Sequence, residues 1–240
     1  MIDLYSYNLF KKYGPNRGTA AMLGDQIPFD STGFKTSSEM MRSLGYQDFM
    51  DIDYNGKARV NHDLNQPLPA SQHGVADFLY DGGVLEHVAN IGEGLTTVVR
   101  IVRVGGVIYL LNPTNDYGES YYNLDPMLQR DFFEANGFET LYSALYHRRN
   151  LRLKGIRILQ RFAPKLTERA RQMFQKKAAA GDDGMKKFLF HDNPRHIQIL
   201  PAEKKYWSLP AITCSLYVGI KRKVQDRIVW PHQGNYVAVK

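Results

Sequence analysis

Glu86 and His87 place a carboxylate beside an imidazole, with two residues between them and a pair of glycines at positions 82 and 83. Histidine titrates near neutral pH and is the most common general base, so His87 is the candidate catalytic residue for removing a proton from an attacking hydroxyl. The competing interpretation is structural: His87 would fix the turn that leads into the next helix. His147 is a second candidate, because it opens a strongly basic segment.

The basic segment covers residues 147–210 and holds 16 Lys and Arg against 5 Asp and Glu, whereas the rest of the chain holds 15 bases and 19 acids. This excess is larger than a balanced solvated surface shows, so it predicts an acidic ligand. The candidate ligands are a phosphorylated or nucleotide-linked sugar, a lipid-linked phosphosugar at a membrane surface, and nucleic acid. An ordinary solvated helical face is the alternative.

The whole chain has 240 residues, of which 43% are hydrophobic and 23% charged, the composition of a globular protein. Its one cysteine, Cys214, excludes an internal disulfide, and seven His without an H-x-x-x-H cluster predict no metal site. The N-terminal residues lack the pattern of a secretory signal, and the longest apolar run, Val107 to Leu111, is too short to cross a bilayer. We therefore expect a cytoplasmic protein.

Seven segments have the length and composition of β-strands. They cover residues 19–23, 48–53, 58–64, 75–80, 107–111, 138–144 and 212–221. Three helices are predicted between them from capping residues and stop signals. These signals are Thr36 with Glu39 and Gly45, Asn90 with Glu93 and Gly105-Gly106, and Asp125 with Pro126 and Gly137.

The alternation of strands and helices predicts a Rossmann-like α/β fold, with a seven-stranded, mostly parallel sheet and helices on both faces. Three regions are expected: a core over 1–146, a basic and largely helical insert over 147–210 that covers the substrate, and a final core strand with a C-terminal tail over 211–240. Ligands of such a sheet bind beyond the carboxyl ends of its strands, so the candidate site residues are sought there.

The segment from Asp77 to Val88 (Asp-Phe-Leu-Tyr-Asp-Gly-Gly-Val-Leu-Glu-His-Val) is followed by a predicted helix and by Arg-Val-Gly-Gly at 103–106. An apolar strand and Asn112-Pro113 come next. This succession resembles the region between the fourth and fifth strands of class I S-adenosylmethionine-dependent methyltransferases, in particular their type-11-like group. The resemblance extends over residues 20–144 and the final strand.

Two further motifs are similar to a subgroup of these enzymes that is found in surface-glycan pathways. Residues 62–65 (His-Asp-Leu-Asn) precede two prolines, and Asp125-Pro126 precedes a Phe-rich helix that ends in Asn-Gly-Phe at 136–138. The resemblance implies S-adenosylmethionine as cofactor. It also implies transfer of a methyl group to a hydroxyl of a small or glycan-type acidic acceptor.

The resemblance assigns five loop residues to the cofactor. Gly24, Asp25 and Gln26 would line its amino-acid end, and Gly82 and Gly83 would let the backbone pass close to it. The first loop keeps one glycine of the family's glycine-rich turn. Since S-adenosylmethionine has no pyrophosphate to bind, the full motif is less necessary than in a dinucleotide enzyme. Loop chemistry alone is the competing interpretation for all five residues.

Two aspartates and a leucine complete the predicted cofactor site. Asp53 ends the second predicted strand, where a carboxylate can accept hydrogen bonds from both ribose hydroxyls. Asp51 takes this role if the strand register is shifted by two. Asp63 follows the third strand and would accept from the adenine amino group, with Leu64 packed on the ring. Turn chemistry is the alternative for Asp53 and Asp63.

The acceptor is predicted to contact the start of the basic segment and the loop after the fifth strand. The residues assigned to it are His147, Arg148, Arg149, Arg152 and Tyr122. Oligomeric state is left open by the sequence.

Two other functions compete with this one. A nucleic-acid methyltransferase agrees with the net charge of +7. However, Asn112-Pro113-Thr114 does not continue into the Pro-Pro motif of amino-methylating enzymes, and Cys214 lacks the Pro-Cys context of cytosine methylation. A non-catalytic Rossmann-like protein would use the basic segment to bind a partner or a membrane. The single glycine of the first loop favours this last alternative.

Overall fold

The computed structural model describes residues 4–24, 36–115, 120–148, 197–201 and 213–232. The chain divides into two compact units, Met1–Tyr146 with Ile199–Lys240, and His147–Gln198. The predicted substrate cover at 147–210 lies almost entirely outside the described residues and stays a prediction.

Helices and strands alternate along most of the chain. The helices are α1 (Leu4–Tyr13), α2 (Ser37–Ser43), α3 (Ile91–Ile101) and α4 (Pro126–Ala135). The strands are β1 (Thr19–Leu23), β2 (Asp48–Asp53), β3 (Val60–Asn61), β4 (Ala76–Asp81), β5 (Val102–Pro113), β6 (Phe138–Arg148), β7 (Ile197–Pro201) and β8 (Thr213–Lys221). Short 3-10 turns cover Ala70–Gln72 and Leu85–His87.

The strands form one sheet in the order β3-β2-β1-β4-β5-β8-β6-β7. Strands β1 to β5 pair in parallel, and β8 runs antiparallel to β5. The order reverses between β1 and β4, because the chain leaves β1 on one side for β2 and β3 and returns on its other side with β4. In open α/β sheets, ligands bind at this switch point, beyond the carboxyl ends of the two strands.

The predicted Rossmann-like fold is therefore confirmed, with all seven predicted strands in the sheet. The sheet has one more strand, β7, inside the segment that was predicted to be a basic, largely helical insert. Its sequence, Ile-Gln-Ile-Leu-Pro, alternates apolar and polar residues only over its first three positions. A run this short does not stand out from its basic surroundings.

The central strands are apolar because both faces of the sheet are covered. All six residues of β4 are buried, as are four of the five in β1. Strands buried on both faces have continuous apolar sequences rather than alternating ones.

Side-chain caps begin three helices where the sequence predicted them. Thr36 accepts a hydrogen bond from the Glu39 amide at 3.1 Å, and Asn90 accepts one from the Glu93 amide at 3.4 Å. Asp125 accepts from the Met127 amide at 2.7 Å. Each cap satisfies an amide of the first turn, which has no partner within the helix.

The end of α3 differs from the prediction. The helix stops at Ile101, and the glycine pair expected to end it lies inside β5. A lysine side chain satisfies the helix end instead: the Lys221 Nζ donates to the Val99 and Val102 carbonyls at 2.6 and 2.7 Å. A cation near the last carbonyls also complements the helix dipole.

Strand β3 is much shorter than the predicted segment 58–64. Side chains take the backbone amides that would extend its pairing. The Asn55 Oδ1 accepts from the amides of Lys57 and Ala58, and the Asp51 Oδ1 accepts from the Arg59 amide at 3.0 Å. Asn and Asp side chains compete with strand pairing in this way.

Helix α1 was not predicted, and two buried side chains, Phe10 and Ser6, attach it to the sheet. Phe10 is fully buried, and its ring contacts those of Phe78, Tyr80 and Tyr109 at centroid distances of 5.1, 5.2 and 4.6 Å. The Ser6 and Tyr109 hydroxyls share a hydrogen bond of 2.9 Å. Among the described residues, none of the helices is long and apolar enough to cross a membrane.

Replacing Phe10 with alanine should lower the free energy of unfolding by about 3–5 kcal/mol, because a buried ring and its aromatic contacts are lost. Denaturant unfolding measures the change. Asn8→Ala, on an exposed position of the same helix, is the matched control and should cost less than about 0.5 kcal/mol. Equal effects of the two substitutions would show that α1 does not depend on this contact.

Candidate active site

Gly24 closes β1 at the switch point of the sheet. Its φ of +81° suits glycine, and a Cβ at this position would lie 2.9 Å from the Val84 Cγ2. Its amide donates to the Ile52 carbonyl at 2.8 Å. The ends of β1 and β4 thus approach each other more closely than a larger residue allows.

The turn after β4 contains the two glycines that the sequence assigned to the cofactor. Gly83 has a φ of +100°, and a Cβ there would lie 2.9 Å from the Glu86 Oε1. A Cβ at Gly82 would collide with the Tyr80 ring and hydroxyl. Both residues are partly exposed. The two glycines therefore let Tyr80 and Glu86 pack against the turn, while its backbone stays partly exposed to a ligand.

Two buried carboxyl groups support this turn from below. Asp81 is fully buried and Glu86 is 4% exposed. The amide nitrogen of Asn112, at the end of β5, donates to the Asp81 Oδ2 at 2.6 Å and to the Glu86 Oε2 at 3.0 Å. The Gln129 amide of α4 donates to the Asn112 Oδ1 at 2.8 Å, which fixes the orientation of the Asn112 amide.

Burial raises the pKa of Asp81 to about 6, since a carboxylate loses its hydration there. The Asn112 amide and the backbone amides of Val84, Leu85 and Gly83 oppose this effect by donating to the charged form. The sequence placed Asn112 at the start of the acceptor loop, but it assigned neither Asp81 nor Gln129 to the site. A polar residue at the end of two adjacent apolar strands was the available signal for Asp81 and Asn112.

Asp53 lies at the carboxyl end of β2, as predicted, and is partly exposed. Its Oδ1 accepts from the Tyr54 amide at 2.6 Å, and the Tyr54 side chain is 73% exposed beside it. Asp51, the alternative, is 9% exposed, and its carboxylate accepts from the Arg59 amide. Asp53 is therefore better placed than Asp51 to meet a ligand at the sheet edge.

Asp63 forms a turn after β3. Its Oδ1 accepts from the backbone amide and the side-chain amide of Asn65 at 2.9 and 2.8 Å, and these hydrogen bonds lower the pKa of Asp63. Leu64, expected on the adenine ring, is buried in the hydrophobic core at 7% exposure. The Asn65 side chain accepts from the Asn90 amide, which joins this turn to the start of α3.

His87 ends the 3-10 turn after Gly83, and its side chain is exposed. The Glu86 carbonyl next to it accepts from the amides of Tyr121 and Tyr122, so the loop before α4 lies against this turn. The Tyr122 hydroxyl donates to the Ala89 carbonyl at 2.8 Å and its ring packs on the core. Tyr121, which the sequence did not single out, is 74% exposed.

The other predicted site residues cannot be placed with these. Asp25, Gln26, Arg149 and Arg152 lie outside the described residues. His147 and Arg148 belong to the last two positions of β6, whose side chains are also outside the description. The structure thus brings Gly24, Gly82, Gly83 and His87 to one pair of strand ends, with Asp53 on the neighbouring strand.

Asp77 is the first residue of the segment that resembles methyltransferases. It lies at the opposite end of the strands, where the parallel strands begin. It is 3% exposed, forms an ion pair with Arg103, and accepts from the Thr19 amide at 2.8 Å. It joins the starts of β1, β4 and β5, which are far apart in the sequence. Asp77 therefore has a structural position rather than one at the ligand edge.

No protein-family model matches this chain, and none of the curated proteins matches its sequence. Solved structures do match its fold. One is phosphoethanolamine N-methyltransferase 2 of Haemonchus contortus in complex with phosphomonomethylethanolamine and S-adenosylhomocysteine. Its TM-score is 0.50 at 12% identity, with 92% of this chain and 53% of that chain covered.

A variant of a 16S rRNA adenine N1-methyltransferase from Catenulisporales acidiphilia also matches. Its TM-score is 0.42 at 11% identity, over 95% of this chain and 96% of that chain. At such identities the likeness concerns the fold alone. The chain has the Rossmann-like fold of class I S-adenosylmethionine-dependent methyltransferases.

The raised pKa of Asp81 gives the stability a specific pH dependence. The folded protein keeps the Asp81 proton to about pH 6, whereas an unfolded chain loses it near pH 4. The buried charge of Asp81 therefore does not reduce stability below about pH 4. The free energy of unfolding falls as the pH rises from there to about 6. Relative to Asp81→Asn, the wild type should lose about 3 kcal/mol of unfolding free energy between pH 4 and pH 7.

Urea unfolding of both proteins across this range measures the difference. Carbon-13 NMR titration of the aspartate carboxyls gives an independent value for Asp81. If the free energies of unfolding of wild type and Asp81→Asn changed in parallel with pH, the raised pKa of Asp81 would be contradicted.

Proposed function

We propose that the protein is an S-adenosylmethionine-dependent methyltransferase. The observation that carries the proposal is the convergence of Gly24, Gly82 and Gly83 at the switch point, with a partly exposed carboxylate, Asp53, at the end of the next strand. Open backbone flanked by an acidic residue on the neighbouring strand is the arrangement that holds a nucleoside in Rossmann-like folds. The methyltransferases that share this fold support the same conclusion.

The residues present fit the cofactor. Asp53 uses one oxygen for the Tyr54 amide, and its remaining acceptor capacity suits a ribose diol. A Cβ at Gly24 or Gly83 would collide with Val84 or Glu86, so glycine lets the two strand ends stay close together. When bound, S-adenosylmethionine supplies a methyl group on a positively charged sulfur. The buried carboxyls of Asp81 and Glu86 hold the turn that faces it and contribute negative potential there.

We propose His87 as the general base, because its exposed side chain ends the 3-10 turn that follows these glycines. Its imidazole would accept the hydroxyl proton of the acceptor. Asp63 would contribute to the adenine end through the carboxylate oxygen that is not used by Asn65. Asp25 and Gln26 are proposed at the amino-acid end from the sequence alone.

The acceptor is proposed to be a small or glycan-type molecule that carries phosphate. The charge of residues 147–210, with 16 basic and 5 acidic side chains, supports this. His147, Arg148, Arg149 and Arg152 would hold the phosphate, and Tyr122 positions the neighbouring loop through its bond to Ala89. The similarly folded phosphoethanolamine methyltransferase binds a phosphorylated small molecule, which agrees with this choice.

Calorimetric titration with S-adenosylmethionine and S-adenosylhomocysteine tests the cofactor. Micromolar binding is expected, and Asp53→Ala should weaken it by about 1–3 kcal/mol because charge-assisted hydrogen bonds are lost. His87→Gln is the matched control: it should leave the affinity unchanged while lowering turnover. Failure of the folded wild type to bind either compound would refute the methyltransferase and favour a non-catalytic binding protein.

Methyl transfer to pairs of phosphorylated and unphosphorylated sugars tests the acceptor. The phosphorylated member of a pair should be preferred, and joint replacement of Arg148, Arg149 and Arg152 by glutamine should raise its KM about tenfold or more. Affinity for S-adenosylmethionine should change little. The control is a triple glutamine variant of three exposed cations outside residues 147–210, namely Lys11, Arg42 and Lys57. It should keep the preference for the phosphorylated sugar. Equal effects of the two triple variants would contradict a role in phosphate recognition.

A further inference from the structure

A cavity of about 560 Å³ lies at the end of the sheet where β4 and β5 begin, opposite the end that carries the candidate active site. Strand β4 runs from this cavity to the turn at Gly82. Its six residues span about 15–20 Å, which is the distance between the two sites. The end of α3, the starts of β4 and β5, the end of β8 and the segment after it form its walls. The lining residues used below are Arg100, Arg103, Lys221, Asp226, Arg227 and the apolar Val104, Val224 and Ile228.

The cations of this cavity come from separate elements. Arg100 belongs to α3, Arg103 to β5, Lys221 to β8 and Arg227 to the segment that follows β8. The cavity lining contains one carboxylate, Asp226. Cations that converge from separate elements form a pocket of positive potential rather than a solvated helical face.

Two of these cations already have acidic partners. Arg103 pairs with Asp77, and Arg100 lies 3.7 Å from the Glu93 carboxylate. Lys221 and Arg227 have no acidic partner within ion-pair distance among the described residues. The cavity therefore retains an excess of positive charge after its internal ion pairs are counted.

Lys221 is the unusual member of the group. It is 5% exposed, and its Nζ donates to the carbonyls of Val99 and Val102. These two bonds use two of the three donors of an ammonium group. Burial lowers the pKa of Lys221, because the ammonium group loses its hydration there. An anion in the cavity would compensate this charge.

We propose that the cavity binds a phosphate-bearing small molecule. Guanidinium groups bind phosphate oxygens through paired hydrogen bonds, and a buried ammonium adds a localised charge. The volume exceeds that of a bare ion and lies within the range of sites for small organic ligands, about 300–1,000 Å³. Val104 and Val224, which are 50% and 68% exposed, provide an apolar surface for the organic part.

This site is independent of the proposed methyl transfer. It uses none of the residues assigned to the cofactor or acceptor, and the length of β4 separates it from the turn at Gly82 and Gly83. Phosphate recognition at the cavity and phosphate recognition by residues 147–210 can therefore be tested separately.

Calorimetric and phosphorus-31 NMR titrations with inorganic phosphate and phenyl phosphate, at constant ionic strength, test the proposal. Phenyl phosphate should bind more tightly, because its ring covers the valines. Arg227→Gln should weaken both ligands about two- to fivefold, and Lys221→Met about tenfold or more. Asp226→Asn should strengthen both, because it removes a negative charge from the pocket.

Arg222→Gln is the matched control, since Arg222 is exposed nearby, pairs with Glu139 and does not line the cavity. It should leave both affinities unchanged. The inference is overturned if Arg222→Gln and Arg227→Gln weaken phenyl phosphate equally. Loss of binding only in the triple variant of Arg148, Arg149 and Arg152 would also overturn it. Binding to phosphatidic acid vesicles without binding to phenyl phosphate would assign the phosphate to a lipid headgroup and overturn it as well.

Arg227 is exposed, so its variant keeps the test valid if Lys221→Met fails to fold. Far-UV circular dichroism and thermal unfolding of each variant identify such a failure.

Discussion

Burial of two carboxyl groups beneath the turn after β4 is the constraint on which the candidate site depends. Asp81 and Glu86 are placed there by the chain, and a buried carboxyl without donors is costly. The Asn112 amide donates to both, because its two N–H groups point to different carboxyls, and the Val84 amide adds a donor to Asp81. Gln129 occupies the Asn112 oxygen, so the amide cannot rotate without losing all three bonds. These hydrogen bonds therefore fix the position of the turn at Gly82 and Gly83.

Much of the fold could be predicted from the sequence, because local chemistry determines it. The capping side chains of Thr36, Asn90 and Asp125 act within three residues, and each begins a helix as expected. The apolar runs of β1, β4 and β5 carry a pattern that is independent of their partners. Asp53 at the end of β2 follows from the same pattern, since the strand ends there by its own composition.

Contacts between distant residues could not be predicted. The Asn112 amide meets Asp81 across 31 residues, and Lys221 ends α3 across more than 100. The predicted glycine stop was wrong for α3 because the lysine satisfies the helix end earlier, and the glycines then serve β5. Helix α1 is held by Phe10 against aromatic residues of three strand positions that no local signal connects to it.

Opposite charges also predominate at the two ends of the strands. Carboxyl groups at the ends of β2 and β4 give the switch point a negative potential, which suits a cofactor that carries a sulfonium before transfer and loses that charge afterwards. The other edge carries Arg100, Arg103, Arg227 and Lys221, with Asp77 joining three strands there. Arg103 lies at the start of β5, whereas Lys221 reaches the same end of the sheet because β8 runs antiparallel to β5. The proposed cationic and anionic ligands would thus bind at opposite ends of the same sheet.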